Sequence, residues 1–323
     1  MNVYQTAPDI WQVELETPFA VGPVNIFLVK KKDKVMVVDA GLSTHETWIN
    51  FKTALSKLSI DLKAIDCVVL THHHIDHTGL INFLPSAIPI YGHWRIEPWL
   101  QQSSAFIQRY NDYFQRLGEK MGVPQKYVDR LPTMDGYIEY GGRRELTATV
   151  DETNTIPNFE EWQILYTPGH AQSHISLYRK TDGVFIGGDL LLEHISSNAI
   201  LEPPYNDGEK APRTLLQYRD ALQKCLTLGM QTILPGHGQM FNYSDAFIQN
   251  RLQNQRKRRD IIARMIQDTP RTTFDIGQEM FRRVFENQVD LVLSEVQGYL
   301  DWLVAEKSAV CVEVDGRLKY RSL

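Results

Sequence analysis

Four of the ten histidines of this 323-residue chain fall at His72, His73, His74 and His77, with Asp76 among them. They follow the apolar run Cys67 to Leu70 and precede Thr78-Gly79-Leu80, which reads as a helix start. Side chains two apart at a strand end point the same way, so His72 and His74 can chelate one cation. Asp76 and His77, beyond the bend, can serve a second. Two divalent ions sharing a water lower its pKa towards neutral, so that hydroxide becomes the nucleophile and no Ser or Cys is required. In that chemistry Asp76 is the candidate catalytic residue, holding one ion and accepting or relaying the proton. The three cysteines, Cys67, Cys225 and Cys311, are odd in number and far apart, which argues against a disulfide framework or a cysteine zinc knuckle. His and carboxylate donors suit Zn²⁺, with Fe or Mn compatible.

A two-ion site needs about seven ligands, and the histidine run supplies four. Three further strand ends complete the set. Thr167-Pro168-Gly169-His170 follows Trp162 to Tyr166, Gly187-Gly188-Asp189 follows Val184 to Ile186, and Leu234-Pro235-Gly236-His237 follows Thr232. Each has a small or rigid residue that makes a tight turn and lifts one ligand to the rim of a sheet. Asp39, after the strand Val35 to Val38, is placed to accept a hydrogen bond from a ligand imidazole and fix its tautomer. Of the remaining histidines, His73 points away from its neighbours, His174 reads as a buried hydrogen-bonding residue, and His45 and His93 as surface or packing groups.

The elements that position these residues alternate. Strand-like runs at Val24 to Val29, Val35 to Val38 and Cys67 to Leu70 are separated by an amphipathic helix capped by Thr44, and the alternation resumes after about residue 160 with a helix near Arg213 to Thr227. Two halves of similar make-up imply two packed sheets with outer helices. From Trp94 to about Arg130 the pattern turns helical, with exposed-looking aromatics (Phe106, Tyr110, Tyr113, Phe114, Tyr127) and Met121. This segment is either an insertion packing on the core or a lid whose aromatic face shapes a pocket.

The order His-x-His-x-Asp-His, then single His, Asp and His, resembles the metallo-β-lactamase superfamily over roughly residues 10 to 240. The resemblance implies an αββα sandwich of mixed α/β (α+β) class. It also implies that His72, His74 and His170 hold one metal, that Asp76, His77 and His237 hold the other, and that Asp189 bridges them. The best-known β-lactamases carry Cys where this chain has Asp189, whereas glyoxalase II, lactonases and phosphodiesterase or ribonuclease relatives carry Asp. Flavodiiron proteins replace the second His of the motif with Glu, and here it is His74. Relatives often have His directly after the bridging Asp, and this chain has Leu190, so no substrate role is carried over to the loop Glu193 to Asn198.

The expected domains are a metal-hydrolase domain at 1–242, with the helical insertion at about 94–135, and a small domain at 243–323. The latter reads as helix, helix, helix and a hairpin turning at Asp315-Gly316, a winged-helix layout similar to an extension on one branch of the superfamily. Its would-be recognition helix, about Val289 to Lys307, carries Asp290, Glu295, Asp301 and Glu306, which would repel a phosphate backbone. The run Arg256-Lys257-Arg258-Arg259 is the opposing signal. A structural or dimerisation module is favoured over a nucleic-acid reader, which leaves a homodimer as one option and the oligomeric state open. A net charge of −5 and a pI near 6.1 provide no general attraction to nucleic acid or anionic lipid. No run approaches the roughly 18 apolar residues of a membrane span, and the first residues lack a charged stretch followed by an apolar one, so a cytoplasmic location is expected. The favoured reaction is hydrolysis of a small-molecule carbonyl ester, thioester or lactone. A phosphodiesterase or ribonuclease is the first alternative, and a non-hydrolytic iron oxygenase or redox protein the second.

Overall fold

The computed structural model describes residues 1–206 and 208–323. Among the described residues, twelve strands form two sheets. The first, in order, comprises β1 (Asn2–Ala7), β2 (Ile10–Leu15), β3 (Val24–Lys31), β4 (Lys34–Val38), β5 (Ile65–Val69), β6 (Ile90–Gly92) and β7 (Ala148–Thr149). The second is made of β8 (Trp162–Tyr166), β9 (Ile175–Arg179), β10 (Val184–Gly188), β11 (Thr232–Pro235) and β12 (Phe241–Asn242). A separate hairpin pairs β13 (Ala309–Val314) with β14 (Arg317–Ser322). The helices are α1 (His45–Lys57), α2 (Ile75–Thr78), α3 (Glu97–Gln101), α4 (Ser104–Lys120), α5 (Thr214–Cys225), α6 (Asp245–Met265), α7 (Thr273–Met280) and α8 (Val289–Ala305). Among the described residues, no helix is long and apolar enough to cross a membrane.

The chain forms two compact units. The first, Met1–Ser103 with Asp135–Ser197 and Lys224–Ser244, contains both large sheets. The period of two along its central strands explains their layering. In β3, Val24, Ile26 and Leu28 join one apolar cluster with Phe51, Ala54 and Leu55 of α1, while Phe27 and Val29 join another with Trp162, Ile164, Leu177 and Ile186 of the second sheet. β4 splits the same way, Val35 and Val37 on one face and Met36 and Val38 on the other. The layers are therefore helix, sheet, sheet, with strands apolar on both faces. Thr44 caps α1 by accepting the Thr47 N–H at 3.1 Å.

Strand direction gathers the site. β4 and β5 are parallel, so Asp39 and the histidine run leave the first sheet at one edge. β8 and β10 each run antiparallel to β9, and β11 runs parallel to β10, so His170, Asp189 and His237 all follow strands pointing the same way. The Ile175 N–H donates to the Thr71 carbonyl at 2.8 Å and joins the two sheets there. Ligand sites at the carboxyl ends of strands follow from such topology.

The second unit comprises Ser104–Met134, Asn198–Gln223 and Asp245–Leu323, so the insertion helix α4 groups with the C-terminal segment. Its aromatics are not exposed. Phe106, Tyr110 and Phe114 recur every four residues and are buried, as are Met121 and Tyr127, whose ring packs on Phe274 and Phe285. The aromatic face thus packs as core, as the insertion reading has it, and the fourfold spacing is its signal. Thr272 and Asp275 form a capping box on α7, and Asp315-Gly316, both at positive φ, make the hairpin turn. Cys67 and Cys225 are buried and Cys311 is exposed.

Candidate metal centre

After β5 the chain runs extended through Thr71 to His74 and then turns once as α2 before a 3₁₀ turn, Gly79–Asn82. This short helix starts at Ile75, three residues earlier than the sequence pattern suggests. It carries Asp76 and His77 to the same rim, where the His77 ring lies 4.1 Å from that of His72. All seven expected ligands meet at this rim, in the overlapping groups His72/His74/His170, His72/His77/Asp189 and Asp76/His77/His237.

In the first group, His72 Nε2 lies 2.9 Å and His170 Nε2 3.0 Å from His74 Nδ1. The Thr71 hydroxyl donates to Asp39 at 2.8 Å and is left to accept from His72 Nδ1 at 2.9 Å, which fixes the His72 tautomer and turns its Nε2 lone pair to His74; the Ser197 hydroxyl bonds His170 Nδ1 at 2.8 Å. His74 Nδ1 can offer at most one proton to the two Nε2 atoms around it. A cation at their meeting point satisfies all three. Burial, followed by the charge of neighbouring histidines, holds His72 and His74 well below the ordinary imidazole value, in the neutral form a metal needs.

The second group is dominated by carboxylates. His77 Nδ1 donates to Asp39 Oδ2 at 2.8 Å, and His237 Nδ1 to the Pro23 carbonyl at 2.8 Å. Their Nε2 atoms are thereby turned inward: His77 lies 3.5 Å from Asp189 Oδ1, and His237 lies 3.5 Å from both Asp76 Oδ2 and Asp189 Oδ2. Asp189 Oδ2 is also 3.4 Å from His170 Nε2, so one carboxylate faces both groups. His77 Nε2 and Asp189 Oδ1 are buried and make no hydrogen bond. Burial opposes the cationic form of His77 and His237, yet the charge of Asp189, with further help from Asp39 and Asp76, lifts His77 to about 9 and His237 to about 11. Burial likewise opposes ionised Asp189, but His237 and His77 hold it well below the usual carboxylate range. The pocket demands positive charge, and these residues fit divalent cations on that ground.

The Metallo-beta-lactamase superfamily profile matches residues 20–237, an interval that contains every one of these side chains. The chain belongs to the metallo-β-lactamase superfamily. It is 36% identical over 303 residues to the probable metallo-hydrolase YqjP of Bacillus subtilis (strain 168), covering 94% of each chain. It is 21% identical to the atrochrysone carboxyl ACP thioesterase of Aspergillus fumigatus, over 84% of this chain and 73% of that one. A metallo-β-lactamase family protein from Thermus thermophilus shares the fold with a TM-score of 0.82, over 99% of this chain and 100% of that one, at 20% identity. The protein is thus a superfamily metallo-hydrolase, and such proteins bind divalent metal ions, usually two.

Several groups that hold this superfamily site escaped the sequence reading. Thr71 and Ser197 orient His72 and His170 as above. Ser173 bonds His73 Nδ1 at 2.8 Å, and the His73 ring stacks on Trp99 at 3.7 Å. His174 is a buried hydrogen-bonding residue: its Nε2 accepts the Asp189 N–H at 3.1 Å, so Nδ1 carries the proton towards Thr167 Oγ1 at 2.8 Å. Burial pushes it down to about 3, which keeps that acceptor free. His93 packs flat on Tyr166, and His194 is exposed beside Glu193. Hydroxyls and carbonyls carry no spacing signature, so only the strand-end position of Thr71 could have pointed to them.

Proposed function

We propose that the protein hydrolyses a carbonyl ester, thioester or lactone of a small molecule with two divalent ions, zinc being the metal its His and carboxylate donors suit, though iron and manganese are compatible. His72, His74 and His170 would hold one ion and Asp76, His77 and His237 the other, with Asp189 shared. The observation that carries the two-ion reading is Asp189, whose oxygens stand about equally far from histidines of both groups. Bound ions would lower the pKa of a shared water and polarise the oxygen of the bond being cut. Asp76, near the second pocket's His237, is the group that would take up and pass on the proton.

The carbonyl class is favoured over a nucleic acid by the second unit. No residue of α8 before Ala305 is exposed, so the would-be recognition helix is a core helix with no face to lay in a groove. Two cations of the basic run are engaged internally, Arg258 with Glu295 and Arg259 with Asp260 and Glu306. The thioesterase among the relatives points the same way. Turnover by the zinc-loaded protein should appear with a thioester or a lactone and be absent with bis(p-nitrophenyl) phosphate and RNA. Turnover confined to the phosphate esters would reverse the assignment, and redox-active iron without hydrolysis would remove it.

A further inference from the structure

The loop that carries His237 is clamped by buried side chains from the other sheet. Asn25 on β3 bonds three carbonyls around it: its backbone N–H donates to Gly236 O at 2.7 Å, and its side-chain Nδ2 donates to Pro235 O at 2.9 Å and Gly238 O at 2.6 Å. On the far side the Gly236 N–H donates to Gly188 O at 2.7 Å, one residue before Asp189. Gln12 on β2 donates through Nε2 to Asn25 Oδ1 at 2.9 Å and to Gly238 O at 3.1 Å. Because that amide hydrogen requires an acceptor, Asn25 Oδ1 is fixed toward Gln12, and its NH₂ is fixed toward the carbonyls. Both side chains are fully buried at 0% exposure. Asn25 shares a strand face with Phe27 and Val29, where the neighbouring positions are apolar.

We infer that Asn25, oriented by Gln12, is a positioning residue for the carboxylate-rich half of the site. It holds the turn that presents His237 Nε2 to Asp76 and Asp189, and so sets the affinity for one ion and not the other. The three-histidine group takes no residue from this turn and is held by Thr71 and Ser197 instead. The inference rests on the two-ion reading above.

Zinc titration of the full chain against a chelating indicator tests it, with His237→Ala marking the step that belongs to the second ion. Wild type should bind two zinc ions. Asn25→Leu, close in volume but without donors, should leave the first dissociation constant within about threefold and weaken the second by about 10–100-fold. Gln12→Met, which removes only the orienting bonds, should weaken the second step alone by about tenfold or less, and it decides the matter if Asn25→Leu does not fold. Thermal melting of the metal-free variants separates a merely structural role, which would lower the melting temperature and leave the ratio of the two constants unchanged. An unchanged ratio in the folded variants would overturn the inference alone. Fewer than two zinc ions on wild type would overturn the two-ion reading, and the inference with it.

Discussion

The three-histidine group and the carboxylate-rich group share one rim but differ in what they lack. Around His74, the Nε2 atoms of His72 and His170 approach its Nδ1 at 2.9 and 3.0 Å, and burial holds His72 and His74 well below the ordinary imidazole value. Around His77 and His237, two carboxylates are short of positive charge and draw protons onto the imidazoles instead. A cation would suit both, but by different routes: in one place it would sit among ring nitrogens, and in the other it would replace protons. The first group is set up by burial and hydroxyl partners, the second by charge and by the turn at Gly236.

Asp189 joins the two, so its removal should have the largest effect. Asp189→Asn keeps the shape and halves the donor capacity facing both groups. Turnover should fall by about 10³-fold, equivalent to about 4 kcal/mol, with loss of at least one metal by elemental analysis. Full metal content and a rate within tenfold of wild type would separate the halves and break the comparison. Gly236→Ala comes next. A Cβ there would overlap Asp189 Oδ1 and meet His77 Cε1 at 2.9 Å, inside the carboxylate half. We expect a loss of about 100-fold in affinity for one ion, with the other still bound at one per chain; equal loss of both would show the halves to be one unit.

These particular residues also show what the sequence made legible. Strands β3, β4, β5 and β8, and all seven side chains at the rim, were readable because apolar runs ending in Gly, Pro or Asp signal strands and tight turns together. β1, with no buried residue, and β7, a two-residue edge, carry too little apolar pattern to declare themselves. The grouping of the insertion with the C-terminal segment was invisible for another reason: it depends on contacts between segments more than a hundred residues apart, such as Tyr127 with Phe285. Asn25 was hidden because a single polar residue within an apolar strand looks like noise until its partners, some 210 positions away, are in place.

Ser197→Ala sharpens the contrast from the other side. It removes the hydroxyl bonded to His170 Nδ1 at 2.8 Å and frees that ring to turn or change tautomer, so that a proton can sit where a lone pair is needed. Affinity for the ion of the three-histidine half should fall by about tenfold, while the step marked by His237 is unchanged. This is the mirror image of the Asn25 prediction, and a weakening of the His237 step by Ser197→Ala would contradict both.

Proton release is the least intrusive test, since it alters no residue and leaves turnover at fixed pH untouched. In the metal-free chain His77 and His237 carry raised values of about 9 and 11 against an ordinary 6.5. Their contribution as cations to stability is therefore complete below about 6.5 and is lost as the pH rises through 9 and then 11. His72 and His74 are shifted the other way, so they are already neutral at pH 7.5. Zinc entering the three-histidine half at that pH should displace no proton from these two rings, whereas zinc entering the other half must displace one from each of His77 and His237. Calorimetric titration in buffers of different ionisation enthalpy should report close to two protons for that step, and its affinity should climb by up to about a hundredfold per pH unit below 9. Equal proton release in the two steps would mean that the carboxylates do not protonate their histidines, and the electrostatic difference between the halves would disappear.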